Sequence, residues 1–226
     1  MFKKIILISA VMMLSGCITP PPQMTKGEAF PNVYKEKPAS ILVVPAVNHT
    51  TAADAIDLFS TTIAYPLAES GYYVLSVPYT KKFLEREGVV DGAQAKNVPL
   101  EKYKQLFGAD AVLFVDLNKW DTNYNVLSGN VTVAAKFELY STATQEKIWN
   151  YDSTIVYNTS GNSNNPLVNL ISTAIQTATT DYVPVARIVN GRIISTLPTG
   201  QYHPRHDKDQ LDKGILVHKV STKEKL

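Results

Sequence analysis

The sequence predicts an α/β domain with a mixed sheet: a parallel β-α-β-α-β core, extended by an antiparallel hairpin and covered by a C-terminal packing helix in a three-layer-like arrangement. Three observations indicate this fold class. Short apolar runs alternate with segments of helical periodicity, an order typical of parallel strands joined by crossover helices. From Gly129 onward the residues alternate strictly, as in antiparallel strands with one exposed face. Pro166 then begins a further helical pattern.

The first strand of the parallel core is predicted at residues 40–45, a continuous apolar run that Pro45 ends. Such a run suits a strand that is buried on both faces. After a polar loop, Thr51 and Asp54 have the spacing of a capping box, and Gly71 is a typical residue to end a helix. Between these positions, residues at helical spacing predict one buried stripe: Ile56, Phe59, Ile63 and Leu67.

The rest of the core repeats this alternation of strands and helices. Because the order strand, helix, strand implies right-handed crossovers, we expect the three strands to pair in parallel. The loop after the first strand lacks the glycines of a phosphate-binding turn, which argues against a nucleotide site. The remaining core elements are predicted as a strand at 72–78, a helix at 79–87, a turn at 91–92, a helix from Pro99 to Gly108 and a strand at 109–117.

The second half of the domain is predicted as a hairpin and a helix. Apolar and polar residues alternate over 131–140, a turn follows at 141–146, and 147–157 returns as the partner strand. Residues 191–204 are predicted as turns that pack on the domain. The helix that begins at Pro166 carries small residues that allow close packing on the sheet, in a stripe of Leu167, Leu170, Ile171, Ala174, Ala178 and Tyr182.

Composition places this domain in an ordinary globular class. The 226 residues are 45% hydrophobic and carry a net charge of +2, too small a charge to indicate nucleic-acid binding. The length suits a single domain, which we predict at 39–204. Residues 205–226 carry charges of both signs and few large apolar residues, so we predict a disordered tail, in which the run 215–217 could dock or pair.

The N-terminus has the pattern of an export signal. Two lysines precede a short apolar run, which predicts a signal peptide at 1–16. Leu14 to Cys17 resembles the lipobox of bacterial lipoproteins, which implies that Cys17, the single cysteine, is acylated. An exported protein with a chance cysteine and an uncleaved anchor are the alternatives. By the same resemblance, Ile18 favours the outer membrane, and the proline-rich segment 17–38 is predicted to be a lipidated, solvated tether.

Several short segments together resemble a family of bacterial outer-membrane lipoproteins related to the CsgG and TolB N-terminal-domain-like superfamily. They are Gly71 to Val74, Leu106 to Leu113, Lys147 to Trp149 and Gly200 to Pro204. The resemblance implies a mixed α/β domain and a role in envelope assembly, transport or secretion. It implies no active site.

One histidine offers a candidate for catalysis. His49 lies in the loop after the first strand and, with Asp54 or Asp57 and a serine, would form a hydrolase site. A polar loop histidine without a catalytic role is the simpler interpretation, and we prefer it. Asp110 and Asp116 flank a buried strand and are predicted to serve as turn and cap partners.

Two further groups of residues have the composition of candidate sites. His203 and His206 have a spacing that two metal ligands can adopt, with His218 nearby, but the charged tail and the lack of a second cysteine favour no metal. The aromatic residues are predicted to be core rather than site: Tyr72, Tyr73, Trp120, Trp149 and Tyr151.

The sequence therefore predicts a non-enzymatic lipoprotein without a cofactor, anchored in the outer membrane through Cys17 and facing the periplasm. Its expected partners are envelope proteins, among them a CsgG-like lipoprotein, or a second copy of the chain. The alternative is a periplasmic ligand-binding or hydrolytic protein that acts on cell-wall or lipid material.

Overall fold

The computed structural model describes residues 22–125, 128–158 and 183–216, without the side chains of 122–131, 156–158 and 184. The predicted signal peptide, Cys17, the predicted helix at 166–182 and the end of the tail lie outside the described residues. The elements are, in chain order, β1 (Gln23–Thr25), α1 (Lys26–Ala29), α2 (Pro31–Glu36), β2 (Ser40–Val43), β3 (Val47–Asn48), α3 (Ala55–Glu69), β4 (Tyr73–Val74), α4 (Val77–Arg86), α5 (Gly92–Lys96), α6 (Leu100–Phe107), β5 (Ala111–Asn125), β6 (Ser128–Ser141), β7 (Lys147–Asn158), α7 (Val183–Ile194) and β8 (Lys213–Leu216).

The main sheet is mixed, as the sequence predicts. Its strand order is β4-β2-β5-β6-β7, and β3 also pairs with β5. In the parallel part, Ile41 of β2 lies between Val74 and Ala111, whereas β5, β6 and β7 form an antiparallel meander. Residues 47–48, predicted as loop, form the short strand β3 after Pro45, because they pair in parallel with Asp116 and Leu117 of β5.

Helices cover the parallel core on both faces. Ile41 and Val43 point to the layer that contains α3 and α7, and Leu42 and Val44 point to the layer that contains α4, α5 and α6. This alternation follows from the two-residue period of a strand, and it explains why the run is continuously apolar. The largest buried side chains of the two layers include Phe59, Phe137, Trp149, Leu84 and Tyr103.

Several predicted boundaries are wrong in detail. The strand predicted at 72–78 ends at Val74, because Pro78 lies in the first turn of α4, where its missing N–H costs nothing. The predicted turn at 91–92 starts α5, with Asp91 accepting a hydrogen bond from the Gln94 amide as its N-cap. The predicted capping box at Thr51 does not form, since Asp54 is the N-cap of α3 and makes no side-chain cap bond.

Two elements are longer than the sequence predicts. Strand β5 continues from 117 to Asn125 past an irregularity between Leu117 and Lys119, and β6 pairs with it along this length. Helix α7 runs through Gly191 to Ile194, where turns were predicted. Asn190 of α7 is fully buried and donates to the Phe59 carbonyl and to the Thr62 hydroxyl, so packing on α3 supports the helix through its glycine.

The predicted tether is wrong for residues 23–37. This segment forms β1, α1 and α2 and packs on the domain, with Phe30 only 2% exposed and its ring 6.2 Å from that of Trp149. Val33 is also buried. The helices are four and six residues long, which is too short to show a helical period in the sequence.

The disordered tail predicted at 205–226 is wrong for residues 205–216. Strand β8 pairs antiparallel with β1, and the side chain of Ile215 in β8 is buried. The suggestion that residues near 215 pair is confirmed for Ile215 and Leu216. The packed residues therefore include 23–37 and 205–216, which lie outside the predicted domain at 39–204.

Candidate functional site

The structure surrounds His49 with partners other than those the sequence suggested. Its Nε2 lies 3.8 Å from an oxygen of Asp116, and Lys96 donates to both oxygens of the same carboxylate at 2.6 and 2.7 Å. Asp57 instead pairs with Lys81 of α4. No serine or cysteine is hydrogen-bonded to His49 among the described residues, so the alternative of a hydrolase site with Asp54 or Asp57 finds no support there.

A second charged cluster lies on the sheet face that carries α5 and α6. Lys136 and Lys147 each place their amino group 3.0 Å from one oxygen of Glu138, whose side chain is 8% exposed. Burial alone would raise the pKa of Glu138, but the hydrogen bonds from the two lysines outweigh it and hold the pKa below its ordinary value. The adjoining cavity of about 290 Å³ is lined by Lys96, Val98, Leu100, Phe114, Lys136, Glu138, Tyr140 and Lys147. Since Glu138, the acid among the described lining residues, is matched by lysines of β6 and β7, this cluster is suited to holding these two strands together.

The larger cavity, about 760 Å³, is a groove between α3 and α7 that the chain around 197–205 closes at one end. Its lining combines hydroxyl groups with an exposed tyrosine, Tyr65, and several cations. Arg187 has no carboxylate partner among the described residues, whereas Arg205 is bound bidentately by Asp212. Because Glu69 is the one acid among the described lining residues, this part of the groove is suited to a polar ligand that carries an anionic group.

The floor of this groove is joined to a buried ionic contact that we call the terminal lock, formed by Asp209, Lys26, Tyr34 and Thr199. Asp209 is fully buried and accepts hydrogen bonds from the Tyr34 hydroxyl and the Thr199 amide, both at 2.9 Å. Lys26 lies 3.3 Å from Asp209 and also donates to the Leu197 carbonyl. Burial, followed by the bond to Asp209, raises the pKa of Tyr34 and keeps it a donor. Sequence reasoning missed this contact because Asp209 looks like one more charge in a polar tail.

The candidate metal ligands are engaged otherwise. The Nδ1 atom of His203 accepts from the Arg205 amide, and Nδ1 of His206 lies 3.0 Å from the Thr199 carbonyl. His218 lies outside the described residues. Within the described ranges, no group of three or more histidine, cysteine or acidic residues is arranged to hold a metal ion.

The other singled-out residues are mostly structural. Asp110 accepts from the amides of Ala39 and Ser40 and from the Ser40 hydroxyl, which is the turn-capping role that the sequence predicts. Tyr73 is the exception among the aromatic residues, since it is 62% exposed on the edge strand β4. The aromatic residues that are buried as predicted are Tyr72, Trp120, Trp149 and Tyr151.

Comparison with known proteins assigns the family. Residues 30–201 match the family described as GNA1162-like lipoproteins. A lipoprotein of Neisseria meningitidis serogroup B, NMB1124/NMB1162, is 34% identical over 170 residues, which are 74% of this chain and 76% of the relative. The chain belongs to the GNA1162-like lipoprotein family.

One solved structure supports the same fold. The crystal structure of lipoprotein GNA1162 from Neisseria meningitidis aligns with a TM-score of 0.52 at 33% identity, over 63% of this chain and all of that one. A PelC dodecamer from Paraburkholderia phytofirmans aligns with a TM-score of 0.45 at 18% identity, over 79% of this chain and 95% of that one, a likeness too remote to bear on function.

The family match covers the main sheet and the helices α3 and α7 of the groove, but it does not cover every described residue. Lys26 and Asp209 of the terminal lock, and strands β1 and β8, lie outside the matched residues 30–201. Among the described helices, none is long and apolar enough to cross a membrane.

Proposed function

We propose that this protein is an envelope lipoprotein without catalytic activity, whose acylated Cys17 holds the domain at a membrane while the domain binds another envelope protein. The observation that carries the proposal is where the fold begins. Strand β1 starts at Gln23, six residues after the lipobox cysteine, so an acylated chain would keep the domain next to the lipid. Several acyl chains on one residue give stable anchoring, because each buried methylene contributes about 0.8 kcal/mol.

The signal peptide is residues 1–16. The membrane is the outer membrane, and the domain lies on its periplasmic side. Ile18 after the cysteine supports this location by resemblance to outer-membrane lipoproteins. The partner is an envelope protein of an assembly, transport or secretion system. A CsgG-like lipoprotein fits the superfamily resemblance, and a second copy of the chain fits a domain whose sheet ends in edge strands β4 and β7.

The experiment that tests the proposal combines acyl labelling with crosslinking in living cells. Cells that express the tagged protein or Cys17→Ser are fed labelled palmitate, then crosslinked, fractionated and analysed by mass spectrometry. We expect label in the wild-type protein alone, and a small reproducible set of envelope proteins that is lost with Cys17→Ser. Equal fractionation of both forms would contradict the anchor, and recovery of acylated monomer alone would contradict the interaction module.

A second candidate function is binding of cell-wall or lipid fragments, and the groove between α3 and α7 favours it. Its size is in the range of small-molecule sites, and Arg187 offers a guanidinium without a carboxylate partner among the described residues. Arg187→Ala is compared with Arg192→Ala, which alters an exposed arginine of the same helix that does not line the groove. If the groove binds muropeptides, Arg187→Ala alone weakens their effect on thermal unfolding. Equal responses in both variants would count against this function.

A further inference from the structure

The position of β1 in the chain limits the distance between the domain and its lipid anchor. Between Cys17 and Gln23 the chain has six residues, and an extended chain spans at most about 3.3–3.6 Å per residue. The acylated residue therefore lies within about 20 Å of the first residue of β1. A tether that continued to residue 38 would have allowed about three times that distance.

The surface at this end of the molecule is built from β1, β8 and residues 201–213, which we call the terminal face. Lys26 and Gly27 donate their amides to the carbonyls of Asp212 and Gln210, so the turn before β8 lies directly against α1. Leu211, in that turn, is 83% exposed, and Tyr202 is 65% exposed. Both side chains therefore project from the terminal face and are available for a contact.

The terminal face carries two exposed lysines outside its ion pairs. Three of its acids are neutralised by neighbouring cations, in the pairs Lys26–Asp209, Lys37–Asp207 and Arg205–Asp212. Lys208 and Lys213 are exposed and form no ion pair among the described residues. Glu28 of the adjoining helix α1, which forms the capping box with Thr25, also interacts electrostatically with Lys213.

We infer that the terminal face lies against the phospholipid headgroups, with Leu211 and Tyr202 at the interface and Lys208 and Lys213 over anionic lipids. This inference rests on the proposed acylation of Cys17, and it adds the orientation of the domain. An aliphatic side chain, an amphipathic aromatic ring and flexible lysines are the combination that a lipid–water interface favours. The other end of the sheet then points away from the membrane, toward the partner.

Val90 is an exposed position at the opposite end of the sheet and serves as the comparison for Leu211. Val90 is 60% exposed and precedes Gly92, whose backbone packs on Ala46 and Val47 at the carboxyl end of β2. The terminal face is joined to the opposite end of β2, because Lys37, just before this strand, pairs with Asp207. Along β5 the partners of Ile41 and Val47 are Ala111 and Asp116, so five residues of strand separate the two ends by about 17 Å.

The test uses full-length protein purified from cells, reconstituted in vesicles of phosphatidylethanolamine and phosphatidylglycerol that carry a headgroup-level nitroxide lipid. Leu211→Cys and Val90→Cys are each labelled with a small fluorophore. Both positions are exposed, and circular dichroism checks that each variant is folded. We expect the nitroxide to quench the label at 211 at least two-fold more than the label at 90. A flexible insertion of about 20 residues after Ile18 should abolish the difference.

Vesicle flotation separates the two possible failures. Protein that floats with the vesicles but shows equal quenching at both positions, or stronger quenching at 90, overturns the orientation and leaves the anchor intact. Protein that carries no acyl chain and does not float overturns the anchor and the orientation together. Lys208→Glu with Lys213→Glu should reduce the quenching at 211 in phosphatidylglycerol vesicles, and no change would remove the lysines from the inferred contact.

Discussion

Replacing Asp209 with alanine removes the acceptor of the terminal lock. Asp209 is fully buried, and the side chain of Lys26 that faces it is 11% exposed, so the variant leaves an ammonium group with the Leu197 carbonyl as its remaining protein partner. Breaking a buried ion pair by removing one partner costs about 3–5 kcal/mol. For a domain of this size, that loss corresponds to roughly 6–20 °C in the unfolding midpoint.

The assay is urea and thermal unfolding of the chain from residue 18, followed by circular dichroism. Asp212→Ala is the matched control. Asp212 lies three residues after Asp209, and its replacement breaks only the exposed pair with Arg205, so we expect the unfolding midpoint to stay nearly unchanged. Lys26→Met combined with Asp209→Ala should recover part of the loss, since no charge is then left buried. If Asp209→Ala lowers the midpoint no more than Asp212→Ala does, the terminal lock does not stabilise the fold as argued.

The remaining predictions concern the core, a turn and an acid-sensitive contact. Phe30→Ala should lower the free energy of unfolding by about 3–5 kcal/mol in urea titrations, because a fully packed aromatic ring is lost. Gly71→Ala should be more destabilising than Gly108→Ala. Both glycines have positive φ, but a Cβ at 71 would lie 2.4 Å from the His203 amide nitrogen, whereas at 108 it meets nothing within 4 Å. Glu138→Gln should flatten the loss of stability in acid: the folded pKa of Glu138 lies below the ordinary 4.5, so its contribution is present above that pH and is lost as the pH falls through the folded value.

Each of these has an outcome that contradicts it. A Phe30→Ala variant as stable as wild type would mean that the segment 23–37 is a tether after all. Equal midpoints for Gly71→Ala and Gly108→Ala would show that the approach of residues 200–203 to Gly71 is not tight. For Glu138→Gln, stability curves that run parallel to wild type from pH 7 to pH 3 would remove Lys136 and Lys147 as the cause of the acid sensitivity.

The predicted elements that the structure confirms are those with a strong local pattern. The apolar run at 40–45 and the alternation over 131–140 are regular patterns that can be seen in the sequence, and both segments contain strands in the structure. Gly108 ends α6 in the left-handed conformation, as a glycine after a helical pattern predicts. These features depend on neighbours within a few residues, so local sequence carries the information.

The elements that sequence reasoning missed depend on distant partners. Residues 23–37 and 205–216 have no clear period of their own, and they fold because β1 pairs with β8 and because Phe30 finds Trp149. Asp209 reads as a solvated charge until Lys26, Tyr34 and Thr199 are brought around it. His49 could be assigned to Asp54 or Asp57 by proximity in sequence, but parallel pairing of β3 with β5 places it beside Asp116.

The sequence alone determined the fold class and, through Leu14 to Cys17, the predicted export signal and anchor, because hydrophobic period and a short processing motif are both local properties. Only the tertiary structure showed that residues 23–37 and 205–216 pack on the domain. The hydrogen bonds and the strand pairing that hold these segments join residues more than 170 positions apart. Their free energy comes from burying groups together, and no single segment of the chain records that.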